Sequence, residues 1–202
     1  INFRDPNAIN PTYPHRDFPP HFWAKENGTQ WMLFRRWADY TKRVCALLKG
    51  GSHVAPAAVL YTDESSWAGH ADLIELVEGE LLKAQYDFDL LDFDLFLDEH
   101  ACRMREGALR IAQEQFPLLV LPGVDAIPVA VMERIAEFVD SGGTLLATCR
   151  LPLHSCERGQ DARVRELVEQ VFGPADTPRA PRDRSHDSGG RAVFVPALGG
   201  VA

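Results

Sequence analysis

Cysteine is scarce in this chain, with four in 202 residues. Cys45, Cys102, Cys149 and Cys156 form no CxxC pair, which excludes a disulfide framework and points to reduced thiols in a cytoplasmic setting. Long apolar runs are also missing. No stretch approaches the ~20 residues that span a bilayer, and no charged-then-apolar leader opens the sequence, so a soluble protein with no membrane partner is expected. Cations are outnumbered, 21 Lys and Arg against 29 Asp and Glu for a net charge of −8. That balance sets nucleic acid aside, because phosphate binding rests on clustered cations. Neither a GxGxxG loop nor a Walker loop occurs, so no dinucleotide or nucleotide cofactor is expected.

Core-forming residues are plentiful. The hydrophobic fraction is 46% and the charged fraction 25%, both near globular averages. At 22.5 kDa the chain suits one α/β domain with appendages. Its start at Ile1 and its end just past a strand-like segment are what a piece of a longer polypeptide would show.

Three regions follow from the patterning. Residues 1–51 join a proline-rich, aromatic connector to an amphipathic helix. Pro6, Pro11, Pro14, Pro19 and Pro20 exclude helix and strand interiors there, and Phe3, Tyr13, Phe18, Phe22 and Trp23 suit an extended segment lying on a neighbouring surface. Between Trp31 and Lys49 the period becomes 3.6, with Phe34, Trp37, Thr41, Val44, Cys45 and Leu48 on one face, Thr29 as the N-cap and Gly50 and Gly51 as the stop.

Residues 52–175 alternate strand and helix. Short buried runs at Ala57–Tyr61, Phe88–Leu91, Leu118–Leu121 and Thr144–Ala147 are separated by helical faces. Those faces are Leu73, Ile74, Val77, Leu81 and Ala84, then Val129, Met132, Ile135, Ala136 and Val139, then Val164, Leu167, Val168, Val171 and Phe172. A helix is expected around Leu95–Arg105 and an edge strand at Leu109 and Ile111. The alternation predicts a doubly wound parallel sheet in three layers, flavodoxin-like, because right-handed crossovers place helices over both faces. Residues 176–202 read as a mobile loop followed by a terminal strand at Ala192–Val195.

In such a sheet a site lies beyond the carboxyl ends of the strands. After the first strand come Asp63, Glu64, Ser66, Trp67 and His70, which could hold a polar ligand or sugar. Capping and loop packing would equally explain them. After the fourth strand comes Cys149. A cysteine there can be a nucleophile if a tight turn exposes it and a histidine such as His154 takes its proton, with Arg150 able to lower the thiol pKa. The alternative is a structural thiol at a strand end. Cys149, His154 and Cys156 match no common zinc spacing, even with His186 added, and no metal is expected. The acidic run Asp87, Asp89, Asp92, Asp94, Asp98 and Glu99 reads as a solvated edge rather than a carboxylate pair for glycoside hydrolysis.

The connector NPTYPHRDFPPHFW (Asn10–Trp23), the helix WMLFRRWADYTKRVCALLKGG (Trp31–Gly51) and the strand with its loop VAPAAVLYTDESSWAGH (Val54–His70) resemble the middle region of large bacterial glycoside hydrolases. These are the β-galactosidase and α-L-rhamnosidase-like enzymes in which a TIM barrel precedes a flavodoxin-like domain. Phe116–Thr148 continues the resemblance. In β-galactosidases this middle domain looks like a class I glutamine amidotransferase that has lost its activity and serves packing and trimer formation. The segment GGTLLATC is similar to the amidotransferase segment ending at the nucleophile. Here Arg150, Leu151 and Pro152 replace the glycine-containing turn, and no His-x-Glu pair follows.

The resemblance therefore implies a non-catalytic structural or oligomerisation domain. Its partners would be other domains of the same polypeptide, an upstream barrel first, with homo-oligomer formation left open. The parent would be a hydrolase of plant or microbial oligosaccharides whose catalytic acids belong to the barrel. The residues also leave open a cysteine-dependent hydrolase or amidotransferase using Cys149, and a sugar-binding module at Asp63–His70.

Overall fold

The computed structural model describes residues 32–51, 53–176 and 178–198. The connector and the Thr29 cap lie outside the described residues. The chain divides into two units, Ile1–Ser52 and His53–Ala202.

In the first unit, α1 runs Phe34–Leu48. The rings of Phe34 and Trp37, one turn apart on its apolar face, lie 5.7 Å apart between centroids.

The second unit runs β1 (Ala57–Leu60), α2 (Asp63–Ala68), α3 (Ile74–Lys83), β2 (Phe88–Leu91) and α4 (Phe93–Leu97). It continues with β3 (Cys102–Arg105), β4 (Ala108–Ile111), β5 (Glu114–Phe116), β6 (Leu118–Leu121), β7 (Ala126–Ile127), α5 (Val129–Asp140) and β8 (Thr144–Thr148). The remaining elements are β9 (His154–Ser155), α6 (Asp161–Phe172), β10 (Arg182–Ser185) and β11 (Arg191–Val195). The central sheet has the order β10-β11-β8-β6-β1-β2. All its pairs are parallel except β10 with β11.

β1 sits inside this sheet with all four residues buried, which is why it reads as an unbroken apolar run. Its side chains divide between two cores. Ala58 and Leu60 join the larger one, to which α5 contributes Met132, Ile135 and Val139 and α6 contributes Val164, Val168 and Phe172. Ala57 and Val59 point the other way, onto Val120 and onto Val77 of α3. Helices thus lie over both faces of a mixed, mostly parallel sheet, as in three-layer α/β folds. No described helix is long and apolar enough to cross a membrane.

Two expectations need correction. The helix foreseen at Leu95–Arg105 ends at Leu97, because the Asp98 carboxylate accepts the N–H groups of His100 and Ala101 and turns the chain. Cys102–Arg105 is instead β3, the first strand of an antiparallel sheet β3-β4-β5. A two-residue turn joins β3 to β4 with Glu106 and Gly107 both at positive φ, the geometry that matches strand twist. The second correction concerns residues 176–190, where β10 pairs antiparallel with β11 through a register from Arg182–Phe194 to Ser185–Arg191. Charge hid this edge strand, whose Asp183 accepts the fork of Arg191 on β11 across the pair.

Candidate functional site

Beyond the carboxyl ends of β1, β6 and β8, three chain segments meet. The loop after α2 and the loop after β6 are joined by Asp72 N–H donating to the Gly123 carbonyl at 2.8 Å and Asp125 N–H donating to the His70 carbonyl at 2.8 Å. The third segment supplies Cys149 and Arg150. Arg150 donates to Asp125 Oδ1 at 3.0 Å and reaches Asp72 Oδ1 at 3.4 Å. His70 Nε2 stands 3.2 Å from the same Asp72 oxygen. Burial works to raise the Asp125 pKa, but the Arg150 guanidinium and the His70 N–H outweigh it and hold the carboxyl below its ordinary value.

Cys149 occupies a sharp bend. Its φ is +59°, and Arg150 N–H donates to the Thr148 carbonyl at 2.6 Å, closing a three-residue turn centred on the cysteine. A non-glycine residue held there costs on the order of 1–3 kcal/mol, sustained only by a surrounding structure that fixes it. The turn resembles what a nucleophile needs, but the chemistry around the sulfur does not. Burial pushes the thiol up, and Asp72 beside it pushes further in the same direction. Asp72 acts on the thiol first through a hydrogen bond that keeps its proton and then as adjacent negative charge.

The other expected partners are engaged elsewhere. His154 Nδ1 pairs with Asp161 Oδ2 at 3.2 Å, not with the thiol. Arg150, expected as a stabiliser of a thiolate, is bound by two carboxylates instead. Cys156 Sγ lies 4.0 Å from the Glu64 carbonyl, and burial pushes its thiol up. His186 Nε2 meets the Val171 carbonyl at 3.0 Å. Among the described residues, Cys149, His154, Cys156 and His186 are not assembled into a metal-binding set.

Of the candidates on the first loop, only His70 joins the carboxylate cluster. Asp63 and Glu64 lie in the first turn of α2, where their negative charge suits the helix dipole. Ser66 Oγ donates to the Asp63 carbonyl at 2.6 Å. Trp67 is 82% exposed, its indole free of the core. Asp72 and Asp125 were not singled out from sequence. Their signal is position alone, Asp125 in the loop after β6 and Asp72 in the loop between α2 and α3.

A second cluster lies at the amino ends of the parallel strands. His53, just before β1, faces Asp87 and Asp89 at the start of β2 and Glu114 at the start of β5. The Asp87 hydrogen bond chiefly, with Asp89 and Glu114 nearby, raises the imidazole pKa against the effect of burial. Glu114 is raised as well, chiefly by its hydrogen bond to Asp89. Beside this edge, the β3–β4 hairpin lines a groove of about 850 Å³ with His100, Arg103, Arg105 and Arg110.

The profile of the glycoside hydrolase 106 family, described as alpha-L-rhamnosidase, matches residues 17–191. The chain belongs to this alpha-L-rhamnosidase family. No curated protein sequence matches it. Among solved structures, this rhamnosidase-family chain is similar to a rhamnosidase from Novosphingobium sp. PP1Y, with 18% identity and a TM-score of 0.51 over 81% of the chain. It is also similar to Gan42B, a GH42 beta-galactosidase, with 17% identity and a TM-score of 0.53 over 84% of the chain. A catalytic mutant of Gan42B from G. stearothermophilus gives the same values. At these identities the likeness concerns the fold. The rhamnosidase-family chain spans 15% of the Novosphingobium rhamnosidase and 31% of Gan42B.

Proposed function

We propose that this chain is a flavodoxin-like, non-catalytic structural domain of a larger, multidomain rhamnosidase, with the glycosidic chemistry carried by an upstream barrel of the same polypeptide. The parallel strands taken in chain order run 2-1-3-4-5, the flavodoxin-like order, which supports the finer fold assignment. The observation that carries the functional reading is the Cys149 turn. It keeps a nucleophile's backbone bend while the thiol faces Asp72 and burial, both of which oppose a thiolate, and His154 is paired away. The short span relative to the solved glycosidases supports the multidomain parent. Four free thiols suit a reducing, cytoplasmic compartment.

The test has two arms. The isolated chain is assayed on nitrophenyl rhamnosides and galactosides, where no turnover is expected and measurable turnover defeats the proposal. In the full-length enzyme, Cys149→Ala is expected to keep kcat/KM within about twofold, and a loss of tenfold or more would point to a catalytic cysteine. A second reading, carbohydrate contact at the loop after β1, is favoured by the exposed Trp67 indole and His70 near it in sequence. A melting temperature that rises in rhamnose or oligosaccharide solutions, and no longer does so in Trp67→Ala, supports that reading. A flat response removes it.

A further inference from the structure

The amino-end cluster has no part in the proposed structural role. Two separate segments converge on the His53 imidazole ahead of β1, bringing Asp89 of β2 and Glu114 of β5. His53 Nδ1 stands 3.4 Å from Asp89 Oδ2 and 3.5 Å from Glu114 Oε1. The three donor atoms all lie within 4.8 Å of one another. The other ring nitrogen, Nε2, is held by Asp87 Oδ2 at 3.0 Å.

We infer that His53 Nδ1, Asp89 Oδ2 and Glu114 Oε1 form a divalent-cation site suited to Zn²⁺, with Asp87 as the carboxylate that orients the imidazole. Zinc bound to nitrogen and oxygen at ~2.0–2.2 Å in a tetrahedron separates neighbouring donors by about 3.3–3.5 Å. The two distances from Nδ1 meet that spacing. A hydrogen bond from Nε2–H to Asp87 fixes the tautomer whose Nδ1 lone pair faces Asp89 and Glu114, and a carboxylate behind a ligating histidine is the usual outer support of such sites. A doubly charged ion there balances both carboxylates and leaves its fourth position to water. Calcium and magnesium take oxygen ligands, so the imidazole selects against them.

The site differs from the sequence expectation for Asp87 and Asp89. Strand alternation correctly puts both on one side of β2, but a partner imidazole 34 residues upstream of Asp87 is invisible to it. An ion there would staple the amino ends of β1, β2 and β5 together, far along the strands from the rim around Cys149.

The experiment is isothermal titration of the tag-free, chelator-treated protein with Zn²⁺, Mn²⁺, Ca²⁺ and Mg²⁺. One saturable Zn²⁺ per chain is expected, with protons released because the ligands bind deprotonated. His53→Ala and Glu114→Gln are expected to weaken Zn²⁺ at least tenfold, and Asp87→Asn about 10–100-fold as an outer-shell change. His53 is substantially exposed, so its variant should fold, and circular dichroism checks this. Absence of saturable Zn²⁺ binding overturns the site. So does binding that all three substitutions leave unchanged, which would place the ion on other donors such as the thiols, or a preference for Ca²⁺ or Mg²⁺ over Zn²⁺.

Discussion

Gly123 lies against the Asp72 carboxylate so closely that a Cβ at this position would come within 2.2 Å of Oδ2. The same Cβ would meet the Thr148 carbonyl at 2.8 Å and the Cys149 Cβ at 3.0 Å. A side chain can swing aside, whereas the Thr148 carbonyl is backbone and belongs to the end of β8. Gly123→Ala is therefore expected to destabilise the domain by about 1–3 kcal/mol, the usual cost of overpacking. Urea unfolding measures it. Adding Asp72→Ala should recover only part of the loss, because the carbonyl clash remains, and a full recovery would show that the backbone moves freely.

Arg134 anchors the inserted antiparallel sheet to α5. It is 7% exposed, and it donates from Nε to the Phe96 carbonyl and from Nη2 to the Cys102 carbonyl, each at 2.5 Å. The guanidinium also stands over the Phe96 ring at 5.7 Å from its centroid. Arg134→Met fills much of the volume but leaves two carbonyls without their charged donor, an expected loss of about 2–4 kcal/mol. Arg134→Lys should recover little, since one ammonium cannot reproduce the planar fork. Chemical denaturation of both variants checks this. A Lys variant as stable as the parent would mean that charge, not fork geometry, is what matters.

Arg134 also shows where sequence patterning stops. The faces of α5 and α6 were legible because every buried apolar residue recurs at helical spacing; Val164, Leu167, Val168, Val171 and Phe172 are all buried. The strands at Ala57, Phe88, Leu118 and Thr144 were legible as short apolar runs. A charged residue in the middle of such a face, Arg134 between Met132 and Ile135, is counted by the pattern as solvent-facing, whereas the carbonyls of Phe96 in α4 and Cys102 in β3 satisfy it in a buried position. The same limit hid the site contacts. Cys149 stood out as a residue type at a strand end, but its φ of +59° and the approach of Asp72 come from tertiary closure of the loops. α3 shows the converse, an apolar pattern that buries only Val77.

The Cys149 thiol is held in its protonated form by burial first and Asp72 second. Iodoacetamide labelling of this residue across pH, followed by peptide mass spectrometry, should give an apparent pKa above the ~8.5 of a free thiol. Asp72→Asn removes the charge while keeping the shape, so it should move that pKa downward, leaving the part due to burial. A Cys149 that labels rapidly at pH 7 would contradict the electrostatics described for the rim and revive a reactive-cysteine function.

Asp125 makes the rim sensitive to acid. Its folded pKa is depressed because the Arg150 guanidinium and the His70 N–H outweigh burial. An unfolded aspartate titrates near 3.9. A depressed group contributes stability that is fully present above the unfolded pKa and is lost as pH falls through the folded one. The contribution is thus constant at neutral pH and disappears progressively below about pH 5. Asp161 and Asp183, held down by the Ser155 N–H with His154 and by Arg191, act in the same direction. Removing the Arg150 guanidinium isolates the Asp125 share. Arg150→Met should lower the urea midpoint at pH 6.5 and narrow its gap to the parent protein at pH 3, where the unfolded aspartate is largely protonated and part of the linked stability is already lost. The half-exposed geometry keeps the effect modest, since solvent screens such pairs. A gap of equal size at both pH values would show that Arg150 stabilises through packing rather than through its carboxylate partners.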